Sequence, residues 1–178
     1  MKRVQRFYFD HNATTPVSPE VLETAVACLG QVYGNASSIH HFGQAAKQRL
    51  ETARRQTAAS IGCQPREIVF LSGGTEADNL ALFGTVRYAK GASRHVVTTA
   101  IEHPAVLNAC AQLEREGVAV TYVPVGADGI VDPDDIRRAL RPDTVLVSAM
   151  HANNELGTVQ PVAEIGRASC RERVWIPV

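Results

Sequence analysis

Residues 67–84 read Glu67-Ile-Val-Phe-Leu-Ser-Gly-Gly-Thr-Glu-Ala-Asp-Asn-Leu-Ala-Leu-Phe-Gly84. Ile68 to Leu71 form a short apolar run of the kind that fills a buried strand. Ser72-Gly73-Gly74-Thr75 makes a turn, and Glu76 to Phe83 then sets Ala77, Leu80, Ala81 and Leu82 at helical spacing. A helix entered through two glycines starts with unpaired backbone N–H groups. Those groups and the positive end of the dipole favour an anion such as phosphate. Glycine lets the anion approach the backbone, and Thr75 adds a hydroxyl. The same words also describe a tight strand-to-helix connection with no ligand, and this stretch alone leaves both readings open.

Working outward, strands and helices alternate along the chain. Val96–Thr99, Ala119–Val123 and Val145–Ala149 read as further strands. Helices are expected from Pro19 to about Leu29 behind a Ser18 cap, from Gly43 to Ser60, from Pro104 towards Gly117, over Asp132–Leu140 and from Pro161 onward. For the second of these, Ser38 is the expected cap. Such alternation implies an α/β fold, a mostly parallel sheet covered by helices on both faces in three layers. The length of 178 residues, 45% hydrophobic and 20% charged, is enough for one buried core.

The composition narrows the function classes. Eighteen basic and eighteen acidic residues cancel, which argues against a nucleic-acid or membrane surface as the main partner. No stretch of about 18 apolar residues spans a membrane. The basic start lacks the apolar core of a secretory signal. Four scattered cysteines, Cys28, Cys63, Cys110 and Cys170, form neither a disulfide framework nor a metal site, so no metal is expected. A cytoplasmic location with reduced thiols is the resulting expectation.

In a parallel sheet, ligands bind beyond the carboxyl ends of the strands. Gly74 and Thr75 follow the first expected strand, Glu102 and His103 the second, and His151, Asn153, Asn154 and Glu155 the last. The loops should converge on one edge, as a cleft for a phosphorylated cofactor with a flat ring. Taken singly, His103 reads as a helix cap or surface histidine and the asparagines as turn formers.

Five segments in order carry a resemblance: Tyr8-Phe-Asp-His-Asn-Ala-Thr-Thr-Pro-Val-Ser-Pro-Glu-Val21, Tyr33-Gly-Asn-Ala-Ser-Ser-Ile-His-His-Phe-Gly43, Ser72-Gly-Gly-Thr-Glu-Ala-Asp-Asn-Leu-Ala-Leu82, Glu102-His-Pro-Ala-Val-Leu107 and Met150-His-Ala-Asn-Asn-Glu-Leu-Gly-Thr-Val-Gln-Pro-Val162. Between about Tyr8 and Gly166 the chain resembles cysteine desulfurases of the nitrogen-fixation type, in the class V aminotransferase group of pyridoxal-phosphate enzymes. The resemblance implies an incomplete large domain of the aspartate-aminotransferase-like fold. It implies removal of sulfur from L-cysteine to leave L-alanine and an enzyme persulfide, and sulfur supply to iron–sulfur clusters or thio-cofactors. It further implies a homodimer and an iron–sulfur scaffold or other sulfur acceptor as partner. By the same resemblance, Gly74 and Thr75 hold the cofactor phosphate, and His103 stacks on the ring and assists proton transfer. Asn154 lies beside the ring hydroxyl and the substrate carboxylate. Related readings are a selenocysteine lyase, an aminotransferase, or a non-catalytic phosphate- or partner-binding fragment.

The resemblance also implies elements further along such chains: an aspartate on the ring nitrogen, a cofactor-linking lysine, a substrate arginine and a persulfide cysteine. Lys2, Lys47 and Lys90 are the only lysines here, and none stands in a matching motif. After Gly166 the text changes to Arg167-Ala-Ser-Cys-Arg-Glu-Arg-Val-Trp-Ile-Pro-Val178, without apolar period. Ile165 to Val174 resembles the translation of a common sequencing-adapter oligonucleotide. The expected organisation is an N-terminal arm over 1–17, a partial cofactor-binding domain over 18–166 and a non-native tail over 167–178. That tail is expected to make few core contacts and to be poorly ordered.

Overall fold

A computed structural model describes residues 6–91, 93–169 and 175–177, the last three by backbone only. The chain divides into two compact units, Met1–Phe70 and Leu71–Val178.

In the first unit, Tyr8 closes the arm by donating its hydroxyl to the carbonyls of Asp10 (2.9 Å) and Thr14 (3.2 Å). Helix α1 spans Pro19–Gln31; the Ser18 hydroxyl accepts from Val21 N, and Pro19 supplies the preset φ of a first helical residue. Helix α2 spans His41–Ile61, two residues earlier than the sequence suggests. Its cap is the imidazole of His40, which accepts from Gly43 N, whereas Ser38 offers its carbonyl to Gln44 Nε2. Gly43 is required there: a Cβ would stand 2.4 Å from the Ser38 carbonyl oxygen. A single 3-10 turn, Pro65–Glu67, follows.

Ile68–Leu71 is not a strand; the backbone is extended, but it joins no ladder among the described residues. Val69 and Phe70 remain 64% and 45% exposed. An apolar run becomes a strand only where a neighbour accepts its hydrogen bonds, and the apolar pattern alone does not report that neighbour.

The second unit holds the sheet. Helix α3 spans Gly74–Tyr88, strand β1 His95–Thr99, helix α4 Pro104–Arg115 and strand β2 Ala119–Val123. Helix α5 (Pro133–Ala139), strand β3 (Thr144–Ala149), helix α6 (Val162–Ser169) and strand β4 (Trp175–Pro177) complete it. The order is β2-β1-β3-β4, with every pairing parallel. All five residues of β1 are buried, as a central parallel strand demands.

Helices cover both faces, so the three-layer expectation holds. On one face, Leu82 and Val86 of α3 and Val106, Cys110 and Leu113 of α4 pack on Val96 and Leu146. On the other, Ile136 of α5 and Ile165 of α6 pack on Val97, Val123 and Val147. Burying a leucine or isoleucine such as Leu113 or Ile136 contributes about 1.5–3 kcal/mol.

Helix α6 runs past the boundary expected at residue 166: Ala168 is 7% exposed and Ser169 donates its hydroxyl to the Ile165 carbonyl. The small Ala168 side chain completes the inward face begun by Ile165. Beyond it, residues 170–174 and 178 lie outside the described residues, while the backbone of Trp175–Pro177 pairs with Val147–Ala149.

Candidate functional site

Strands β1 and β3 are neighbours, yet the chain leaving β1 enters α4 on one face and the chain leaving β3 enters α6 on the other. Adjacent strands whose exits part in this way open a crevice at their carboxyl ends, the place where open α/β sheets bind ligands. His103 and Asn154 stand on those two exits. Helix α3, on the α4 face, presents its amino end to the same edge: Asp78, in its second turn, lies close enough to His103 to feel its charge.

The start of α3 is open. The first helical hydrogen bond runs from Ala77 N to the Gly73 carbonyl (3.1 Å), so the N–H groups of Gly74, Thr75 and Glu76 have no acceptor within the helix. No side chain caps it, and a Cβ added at Gly73 or Gly74 would meet nothing within 4 Å. Thr75 is exposed. The acidic group of this turn, Glu76, folds back and accepts from both N and Oγ of Ser72, each at 2.7 Å. Those bonds, the backbone one first, hold its carboxyl below the usual range. Three free amides, a threonine hydroxyl and open space at a dipole's positive end fit a phosphate-sized anion.

His103 caps α4, its Nδ1 accepting from Ala105 N at 3.1 Å, and the ring is otherwise exposed. It is thus both the helix cap and the exposed ring of the two readings. Asn154 is exposed in the loop after β3. The neighbouring Asn153 is tied into its loop and to the β1 exit. Asn153 Oδ1 accepts from Glu155 N (2.9 Å) and Leu156 N (2.8 Å), and its Nδ2 donates to the Ile101 carbonyl (3.0 Å).

Glu102, 5% exposed, ties the same two exits. Its Oε1 accepts from Thr99 Oγ1 (2.8 Å) and from Met150 N (2.7 Å). Burial pushes its carboxyl up, hydrogen bonds from Thr99 and Met150 oppose this, and the charge of Asp78 adds to it. Burial likewise raises Asp78, against the pull of His103. Gln160 anchors the far end of the β3 exit, accepting from Val131 N and donating to the Gly129 carbonyl, both at 2.9 Å. The sequence singles out Glu102 only by position and Gln160 not at all; no residue pattern announces a buried glutamate's hydrogen bonds.

Cys110 is fully buried, and burial, with Glu102 and Glu114 nearby, pushes its thiol up to about 12. It remains a thiol and an inert core side chain at neutral pH. Cys170 lies outside the described residues. Among the described residues no group of three His, Cys, Asp or Glu side chains is placed to hold a metal, and no helix is long and apolar enough to cross a membrane.

Fold and site together define an α/β unit with an anion-ready helix at a switch point. The chain belongs to the class-V aminotransferase family, whose model (Aminotransferase class-V) matches residues 7–178. This is a pyridoxal-phosphate-dependent family. The chain is 48% identical over 169 residues to a protein of Proteus mirabilis named cysteine desulfurase IscS, covering 93% of this chain and 42% of that one. Its structure matches a NifS-like protein with a TM-score of 0.92 at 39% identity, over 96% of this chain and 48% of the other. It matches a structure described as SspA in complex with cysteine at 0.87, also at 39% identity, over 91% and 47%. The chain therefore spans less than half the length of the relatives it matches.

Proposed function

We propose that this chain supplies the phosphate-and-ring half of a pyridoxal-phosphate-dependent cysteine desulfurase, acting on L-cysteine. The observation that carries the reading is the uncapped amino end of α3 at the crevice between β1 and β3. In this reading the amides of Gly74 and Thr75 and the Thr75 hydroxyl hold the cofactor phosphate. His103 lies against the ring and moves a proton at its free nitrogen, Nε2, because Nδ1 is held by Ala105 N. Asn154 orients the ring hydroxyl and the substrate carboxylate. When bound, the cofactor supplies an electron sink for bond breaking at the amino acid. The similarity of the cysteine-bound SspA structure supports the substrate. A homodimer, an iron–sulfur scaffold or other acceptor as partner, and a cytoplasmic setting complete the proposal. The domain division at 17/18 and 166/167 is kept as part of it.

The test is a titration of pyridoxal phosphate into the chain, followed by cofactor absorbance and fluorescence. Saturable binding, weakened by Thr75→Ala and abolished by excess inorganic phosphate, is expected. Binding indifferent to both would remove α3 as the phosphate site.

A further inference from the structure

Five hydrogen bonds at the crevice are made by residues that stand immediately before the two side chains assigned to the ring. Glu102 precedes His103, and Asn153 precedes Asn154. Glu102 lies on the exit from β1, and its Oε1 takes the backbone N–H of Met150 on the exit from β3 at 2.7 Å. A second bond, from Thr99 Oγ1 at 2.8 Å, holds that carboxyl at the end of its own strand. Asn153 reaches the opposite way: its Nδ2 takes the Ile101 carbonyl on the β1 exit at 3.0 Å. Its Oδ1 takes the amides of Glu155 and Leu156, so the side chain is held at both ends. Each loop thus contributes one side chain that crosses to the backbone of the other.

The crossing has a physical motive. Two exits that leave for opposite faces of a sheet share no helix and no strand pairing beyond the last ladder residues. Burying a carboxyl to make the connection is costly unless its oxygen is satisfied, and Glu102, 5% exposed, is satisfied by one bond from each strand end.

We propose that Glu102 and Asn153 are positioning residues, a reciprocal clamp that fixes the exposed ring of His103 relative to the amide of Asn154. The clamp rests on the functional reading above only for what His103 and Asn154 do.

Amide exchange of the full chain, read by NMR, tests the clamp without any ligand. In Glu102→Ala the Met150 amide should exchange about tenfold faster, while β2 amides such as Val120 keep their rates. The His103 ring and Asn154 side-chain signals should both move. Glu102→Gln, whose oxygen can accept the same two bonds, should restore all three. Asn153→Ala leaves the Glu102 bonds in place and should speed the Glu155 and Leu156 amides, which keeps the test available if Glu102→Ala does not fold. An unchanged Met150 rate in Glu102→Ala, or equal acceleration in β2, overturns the proposal. Titration with pyridoxal phosphate then separates the two failures. If the unaltered chain binds none while exchange behaves as stated, the clamp stands and the cofactor reading falls. If it binds, and Glu102→Ala binds equally well despite faster exchange, the positioning role falls and the cofactor reading stands. The expected result is binding about tenfold weaker in Glu102→Ala and recovered in Glu102→Gln.

Discussion

His95 sits at the end of the sheet remote from the crevice, fully buried, with Nδ1 2.8 Å from Thr144 Oγ1 and Nε2 2.8 Å from Thr121 Oγ1. One imidazole therefore ties the amino end of β1 to both of its neighbours, β2 and β3. Burial lowers its pKa, the Arg141 charge lowers it further, and Asp143 opposes both. Because the folded value lies below the unfolded one, the unfolded chain takes up the proton first as pH falls. The stability held by this site is whole above the ordinary histidine range, about 6.5, and is lost as pH falls from there through the folded value. Urea midpoints between pH 8 and 5 should fall more steeply for the unaltered chain than for His95→Gln; parallel curves would assign the titration elsewhere. At the crevice, Thr75→Ala should weaken pyridoxal phosphate by roughly 1.5–3 kcal/mol, a tenfold to hundredfold rise in Kd measured by titration, since it removes one hydrogen bond to a charged group. Single residues were legible where chemistry is local, as with the Ser18 cap and the glycines before Thr75. They were not legible where a bond crosses between loops distant in sequence: nothing in Asn153-Asn154 says that the first side chain reaches Ile101.

Elements differ in how much of their stability they carry themselves. Helix α5 has seven residues, so its ends matter. Asp132 Oδ1 accepts from Asp134 N, Asp134 and Asp135 fill the first turn, and Arg137 and Arg138 the last, each paired with the aspartate three residues before. Those exposed pairs add little, whereas Asp132→Ala should cost about 0.5–2 kcal/mol, read as a lower urea midpoint at unchanged slope. The turn before α5 is set by Gly129, with φ at 73° and its Cβ position 3.1 Å from Leu156 Cδ1. Gly129→Ala should destabilise through both strain and contact, and by more than the 0.4–1 kcal/mol or so that chain stiffening returns. Strands β1, β2 and β3 were readable to within a residue because each is a short apolar run bounded by turns. The same signal at Ile68–Leu71 gave no strand, and β4 was not foreseen, since pairing depends on a partner distant in sequence.

At the scale of the molecule, the parallel order β2-β1-β3 follows from connectivity. A right-handed crossover from β1 to β2 puts α4 on one face, and the return past β1 to β3 puts α5 on the other. That reversal places the crevice between β1 and β3, so the location of the candidate crevice was legible from alternating strands and helices, while its hydrogen bonds were not. The same architecture sets an expectation about activity. Desulfurase chemistry calls for a lysine that links the cofactor and moves protons, and for a nucleophilic cysteine. Lys90 lies two residues beyond the carboxyl end of α3, about 22 Å along the axis from the open amino end at 1.5 Å per residue. Lys47 lies in α2 of the first unit, and Cys110 is locked in the core as a thiol. The 178-residue polypeptide should therefore bind pyridoxal phosphate reversibly and release no sulfide from L-cysteine. Borohydride treatment followed by mass spectrometry should leave no cofactor on Lys47 or Lys90. Joined to the carboxyl-terminal part of the Proteus mirabilis relative, the chain should gain cysteine-dependent sulfide release. In that chimera His103→Ala should lower kcat by about a hundredfold to ten-thousandfold, the range of a lost general acid–base group, with less effect on KM. Sulfide release by the polypeptide alone, undiminished in Thr75→Ala/His103→Ala, would place the chemistry outside the crevice between β1 and β3.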